Sequence, residues 1–302
     1  MKKEKLLFKH MRSPGDLLML TVAIRDLHKT YPDRFITSVE SCYPEVFYNN
    51  PYVSPRSALE DNYTTINAEY TRAFENKTNT GKHFSDGFID DLNEQLNLNI
   101  KKTSMFPEIY LKKEEKEKCE ELLQKEGIKG RFWLFNAGVK QDMPLKGYPA
   151  SLWKDVIKNI QEEHNIQLIQ VGHSHHIHPE FRNVKSLVGK TNCLRDYFAL
   201  VEKATGSIGA ISLQMHVSAA FKKPCVVIAG GREEPTWEQY IGQTYLHTVG
   251  LLECCKYSGC WKSKIQDCVN FLRVYYLDGP ECMGMISPEQ ISSVVLKYNN
   301  IF

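Results

Sequence analysis

The sequence has no long apolar run. Nothing in its 302 residues approaches the roughly 20 apolar residues needed to span a bilayer, which excludes a membrane-crossing helix. It has no excess of one charge either. Its 38 Lys and Arg stand against 36 Asp and Glu, a formal +2, so net charge does not point to nucleic acid as a partner. Internal repeats and low-complexity segments are absent, which sets aside solenoids and disordered chains. The apolar piece after the basic start, Met1-Lys2-Lys3-Glu4-Lys5, is too short for a signal peptide. The chain therefore reads as cytoplasmic. Whether that start is simply solvated or rests on the inner face of an anionic membrane stays open.

The length suits two domains, since a single core stops growing at roughly 250–300 residues. Strand-like and helix-like runs alternate, which argues for α/β layers with parallel sheets. Leu6, Leu7 and Phe8 read as a buried strand, and Leu17, Leu20, Ile24 and Leu27 recur at helical spacing. Phe35–Val39 is a second strand. Residues 49–90 are rich in Asn, Tyr, Thr and Lys and read as irregular loops, with one short strand near Thr64–Ala68. The charged helix over 111–127 stops at Gly127. Beyond it come the strands "RFWLFNAG", "IQLIQVG", "GSIGAIS" and "PCVVIAGG", separated by amphipathic helices, and a last helix capped by Ser287 with Pro288 after it. Two domains follow, 1–110 and 111–302. In such sheets ligands bind outside the carboxyl ends of the strands, and the polar motifs fall there.

Gly15 and Asp16 sit between the first strand and the first helix. Asp16 is either a helix cap or a catalytic carboxylate at a ligand site. Asn136, Ala137 and Gly138 end a strand in a turn that lets a backbone approach a ligand. Lys140 and Lys146 follow, cations of the kind a diphosphate requires. Ser212 or Gln214 opens a helix directly after a strand, and free N–H groups there suit phosphate. Met215 and His216 lie in its first turn, where His216 is either a ligand contact or a satisfied core residue. Gly230-Gly231 ends the next strand. Arg232 then suits a phosphate and Glu233 a ribose hydroxyl, although either could equally form a surface ion pair.

Two clusters could hold a metal. His173, His175, His176 and His178 crowd one loop, where plain exposure is the simpler reading. Cys254, Cys255, Cys260, Cys268 and Cys282 crowd residues 254–282, out of nine cysteines in all. In a reducing compartment such a group is more often metal-binding or catalytic than disulfide-linked. Cys255, Cys260, Cys268 and Cys282 would make a four-thiolate iron or zinc site, with Cys254 as a substitute. The alternative is free thiols packed around Trp261.

Taken together, "GDLLMLTVAIRDLHKTYP", "NAGVKQD", "LKGYPASLWKDVI", "MHVSAAFKKPCVVIAGGREEPTWEQY" and "HTVGLLECCKYSGCW" resemble glycosyltransferase family 9, the ADP-heptose–lipopolysaccharide heptosyltransferases and their relatives. The resemblance implies a GT-B fold: two facing Rossmann-like domains around a cleft, with a C-terminal helix packing back. The first domain would serve the acceptor and the second the donor. Asp16 matches the general base, Lys146 a lysine on the donor phosphate, and residues 212–216 the donor-binding helix start. Many heptosyltransferases carry Asp-Thr-Gly there; this chain has Ile211, Ser212 and Leu213. Protein heptosyltransferases with cysteine-bound iron add to the metal reading.

The implied activity is inverting transfer of a heptose or related sugar from a nucleoside-diphosphate sugar to a glycan, lipid-linked or protein acceptor, in cell-surface glycan or glycoprotein assembly. Such transfer requires no cofactor. Asp16 takes the acceptor proton, and Lys146, Arg232 and the 212–216 turn stabilise the departing diphosphate. A homo-oligomer and a peripheral membrane contact stay open. Two other functions are weighed against it: epimerisation of a nucleotide sugar, which lacks a second acid/base set, and a non-catalytic, metal-stabilised binding or assembly protein on the same fold.

Overall fold

The computed structural model describes residues 3–60, 62–74, 81–141, 144–261, 268 and 279–301. The chain divides into two units, Met1–Glu117 and Lys118–Phe302.

The first unit runs β1 (Glu4–Lys9), α1 (Pro14–Thr30), β2 (Phe35–Glu40), β3 (Thr64–Asn67) and α2 (Phe84–Leu96). Its sheet has the order β2-β1-β3. Both pairings are parallel, with Leu6 opposite Thr37 on one side and Thr64 on the other. The central strand β1 is apolar without alternation because both its faces are covered; Leu6, Leu7 and Phe8 are buried. Helix α1 covers one face through Leu17, Leu20, Ile24 and Leu27, all fully buried.

Helix α2 corrects the expectation of loops through residue 90. Phe84, Phe88 and Leu92 recur every four residues and are buried, which is the stripe an amphipathic helix presents. Its start escaped notice because its N-cap is His83. The His83 ring accepts from the Ser85 N–H at 3.2 Å, and the Asp86 carboxylate accepts from the His83 N–H at 3.0 Å. A histidine does the work usually done by Ser, Thr, Asp or Asn. Residues 75–80, within the same stretch, lie outside the described residues.

Helix α3 (Lys113–Lys125) runs across the division between the units. The second unit continues with β4 (Trp133–Asn136), α4 (Ala150–Ile157), β5 (Leu168–Gln170), β6 (Lys185–Ser186), α5 (Leu194–Lys203), β7 (Gly206–Ala210), α6 (Leu213–Ala220), β8 (Cys225–Gly230), α7 (Pro235–Glu238), β9 (Gln243–His247), α8 (Glu281–Gly284) and α9 (Pro288–Ile301). The strand order is β6-β5-β4-β7-β8-β9, and every pairing is parallel. This is the doubly wound Rossmann order. The chain leaves β4 toward one edge and returns to β7 on its other side, so the switch point lies at the carboxyl ends of β4 and β7. Trp133, Phe135, Trp153, Ile208, Val226 and Ile228 form the core, closed by Ile291 and Val295 of α9. The C-terminal helix thus packs on α4 and the sheet of this unit. Ser287 caps it as expected, accepting from the Gln290 N–H at 3.2 Å.

Candidate functional site

In the first unit, Asp16 stands on the first turn of α1, just past the carboxyl end of β1. Ser13 is the N-cap and Pro14 opens the helix. The Ser13 N–H and hydroxyl both donate to Asp16 Oδ2, at 3.1 and 2.9 Å. Among the described residues, Oδ1 accepts no hydrogen bond. The cap is therefore real, yet it occupies only one carboxylate oxygen and leaves the other for a proton. Gly15, the partner of Asp16 in the sequence motif, is a buried helical residue of the same turn.

In the second unit, the candidate residues gather along the carboxyl ends of β4, β7 and β8. Asn136 ends β4, and its Oδ1 accepts from the Gly138 N–H at 2.9 Å. Gly138 also packs closely against a side chain. A Cβ there would run into the His178 imidazole, and so would one at Gly172, just past the neighbouring strand β5. Both glycines make room for His178, whose Nε2 hydrogen-bonds the His173 carbonyl at 2.9 Å. The loop of histidines is thus folded onto the strand ends by one ring. Lys140 is exposed on the turn. Asp142 and Met143 of that motif lie outside the described residues.

Helix α6 begins at Leu213 directly after β7. Its N-cap Ser212 turns its hydroxyl back to the Ala210 carbonyl at 3.0 Å and makes no side-chain cap bond, so the N-cap side chain satisfies none of the first N–H groups of α6. Gln214 donates to the Ile208 carbonyl at 3.1 Å. Its Oε1 is buried without a hydrogen bond among the described residues, beside Gly209 and Asn136 at the switch point. Met215 is fully buried and offers only main chain, its carbonyl accepting from Gln243 at 2.7 Å. His216 is also buried. Its Nδ1 lies 2.8 Å from the Tyr240 hydroxyl and its Nε2 3.4 Å from Glu238 Oε2.

The turn after β8 brings distant charges together. Lys146 Nζ lies 3.1 Å from Glu233 Oε1, and Arg232 Nε lies 3.8 Å from the same oxygen. Arg232 and Glu233 are both about 4% exposed along their side chains, so this is a buried pair and not a surface one. Glu233 holds the two cations expected to meet a diphosphate. The neighbouring Glu234 was not foreseen. It is 5% exposed, its carboxylate's only hydrogen bond among the described residues comes from the Thr236 hydroxyl at 3.5 Å, and burial lifts its carboxyl above the ordinary value. Three glutamates in "REEPTWE", directly after an apolar strand, were the available signal.

The cysteine segment packs on this same turn. Gly230 has φ +58°, and a Cβ there would lie 3.2 Å from Cys282 Sγ. One at Gly231 would lie 2.7 Å from Cys255 Sγ. The Cys260 N–H donates to the Gly231 carbonyl at 3.0 Å, and Gly259 lies so close over the Arg232 carbonyl that any side chain would collide with it. Burial, with help from neighbouring thiols, pushes Cys282 up to about 11, and burial also raises Cys260. Cys255 is buried, Cys260, Cys268 and Cys282 are half-buried, and Cys254 is exposed. Thiolates suit iron or zinc, and the sulfurs of Cys255 and Cys282 pack on one turn. Among the described residues, however, no three His, Cys, Asp or Glu side chains form a group that could hold a metal ion, the histidine loop included.

The family model for glycosyltransferase family 9 (heptosyltransferase) matches residues 82–247. No curated protein matches the sequence. Among solved structures, a glycosyl transferase family 9 protein from Veillonella parvula is 14% identical, with 100% of this chain and 99% of that one covered at a TM-score of 0.71. TibC, from enterotoxigenic E. coli, is a dodecameric iron-containing heptosyltransferase whose structure was solved with ADP-D-β-D-heptose. It is 15% identical over 100% of this chain and 78% of its own, at 0.64. The ADP-heptose lipopolysaccharide heptosyltransferase II of E. coli is 14% identical over 98% of each chain, at 0.59.

Proposed function

We propose that this chain, which belongs to glycosyltransferase family 9, moves a heptose or related sugar from a nucleoside-diphosphate donor to an acceptor hydroxyl with inversion at the anomeric carbon. That the protein is a glycosyltransferase follows from the family, and its α/β parallel-sheet fold is the GT-B fold of its structural neighbours. The substrate, the stereochemistry and the residue roles are our reading.

The observation that carries it is the convergence of Lys146, Arg232 and Glu233 at the strand ends of the Rossmann-ordered unit. Two cations held on one buried carboxylate form a preorganised receptor for a leaving diphosphate, and fixed charges of this kind need no reorganisation as negative charge develops. In this reading Glu233 orients the cations. In the transfer, the acceptor O–H bond breaks and its proton goes to Asp16 Oδ1. The acceptor oxygen bonds to the anomeric carbon, and the C–O bond to the diphosphate breaks with its electron pair leaving on the diphosphate. A positioned base contributes about 10²–10⁴-fold.

The acceptor is a glycan, a lipid-linked glycan or a protein, and the cellular role is cell-surface glycan or glycoprotein assembly. No helix among the described residues is long and apolar enough to cross a membrane, and we place the reaction in the cytoplasm. A homo-oligomer fits a family that includes a dodecamer. A structural iron or zinc on Cys255, Cys260, Cys268 and Cys282 would require these side chains to close up, since no three of them form a metal-holding group as they stand. Metal analysis of the purified protein tests that separately.

Thermal shift with ADP-, GDP- and UDP-sugars tests the donor. A ligand that binds only the folded state stabilises it by about 2.7 kcal/mol at a hundredfold excess over its Kd. One nucleotide sugar is expected to raise the melting temperature and to be consumed when acceptor is added. If none binds and none is consumed, the reading fails.

A further inference from the structure

We infer that Ser13 is a positioning residue for the glycosyl transfer, holding the Asp16 carboxylate through Oδ2 so that Oδ1 faces the acceptor hydroxyl. This rests on Asp16 being the base. An ordinary N-cap serine accepts from the N–H three residues on, and that bond satisfies the helix end. Here it is the weakest of the set. The Asp16 N–H reaches Ser13 Oγ at 3.4 Å, at the outer limit for such a bond. The two bonds that run the other way, into the carboxylate, are shorter: 2.9 Å from the hydroxyl and 3.1 Å from the Ser13 N–H. Both donate to an ionised oxygen, the stronger kind of hydrogen bond, and both end on Oδ2.

Two donors on a single oxygen fix the rotation of the carboxylate. The frame on either side is rigid. Pro14 locks the backbone directly after Ser13, and Leu17 and Leu18, directly after Asp16, are fully buried. Ser13 itself sits at φ −65° and ψ 156°, extended backbone that aims its hydroxyl back at the first turn. Oδ1 is left without a hydrogen bond among the described residues. A carboxylate with one oxygen clamped and one open is what a proton acceptor requires. Ser13 takes no proton and touches no reacting atom in this account; it acts only through Asp16.

Three variants test this, with kcat, KM for donor and melting temperature measured together. Ser13→Gly removes the hydroxyl, yet glycine is itself an acceptable N-cap, so the helix start is little weakened. It is expected to lower kcat roughly tenfold to a hundredfold, the scale of a misplaced reacting group, with KM for donor and melting temperature nearly unchanged. Ser13→Thr, which keeps a hydroxyl, is expected to hold kcat near wild type. Ser13→Ala weakens the cap more than glycine does, and is expected to lose the same kcat. A Ser13→Gly protein with wild-type kcat, or losses that follow the melting temperature across the series, would make Ser13 a cap and nothing more. If Ser13→Gly does not fold, Ser13→Ala against Ser13→Thr decides by the same criterion. Asp16→Asn assayed in parallel separates the two ideas: an active Asp16→Asn overturns the base itself, whereas an inactive Asp16→Asn beside a fully active Ser13→Gly overturns only the positioning role.

Discussion

Lys146 and Glu233 are 87 positions apart and meet at 3.1 Å, one from the loop after β4 and the other from the turn after β8. The carboxylate, about 4% exposed, has its charge met by that ammonium. If the pair is a receptor for diphosphate, its two members should fail differently. Lys146→Ala removes positive charge where the leaving group gathers negative charge, and is expected to lower kcat by about 10²–10³-fold. Glu233→Gln leaves both cations present but unaimed. It should raise KM for donor more than it lowers kcat. Steady-state kinetics on both variants check this; equal effects on both constants would mean that the pair is only structural.

The two glycines near the cysteine segment are expected to differ in their tolerance of alanine. At Gly231 the added Cβ would meet Cys255 Sγ at 2.7 Å, a side-chain atom that can shift at an overpacking cost of about 1–3 kcal/mol. At Gly259 it would run into the Arg232 carbonyl, which is backbone and cannot move aside. Thermal unfolding should rank wild type above Gly231→Ala and Gly231→Ala above Gly259→Ala. Donor affinity should fall in the same order, since both substitutions disturb the turn that carries Arg232.

Much of this was legible before any coordinates. β1 and α1 follow from Leu6, Leu7 and Phe8 and from the four-residue recurrence of leucines, since burial on both sides of a strand and on one side of a helix leaves such patterns. That Asp16 stands at a helix start was legible for the same local reason; that the N-cap is Ser13, with Asp16 as its partner three residues on, comes from the structure. Helix α2 was not, because His83 replaces the usual cap. Nor was the partner of Glu233. A local motif reports that a carboxylate stands at a strand end, but not which cation, 87 positions away, the topology will bring to it. The packing of Gly138 against His178 was hidden for a like reason: His178 belongs to the loop between β5 and β6.

Gly138 and His178 provide a coupling test. Gly138→Ala forces the imidazole away and should destabilise the protein, whereas His178→Ala alone opens space and should cost less. Combined, the second change should relieve part of the first, so the double variant should be more stable than the sum of the single effects allows. Strict additivity in thermal or denaturant unfolding would mean that the ring does not pack on the glycine in solution.

Glu234 gives a pH dependence of definite sign. Burial, only slightly offset by Thr236, raises its folded-state pKa above that of the unfolded chain. The folded state therefore holds this proton more tightly. The stability so gained is fully present below the ordinary carboxylate value and is lost as pH rises through the raised one. At neutral pH the buried charge is a burden, so Glu234→Gln should melt higher than wild type at pH 7–8. The difference should shrink as pH falls toward 4. A constant difference across that range would contradict the assignment.

Asp16→Asn bears on the central claim most directly. The amide keeps the size of the side chain but cannot take a proton from an attacking hydroxyl. With donor and acceptor supplied, the variant is expected to show no transfer above background while keeping its melting temperature and its nucleotide-sugar affinity. Turnover near the wild-type rate would contradict the account.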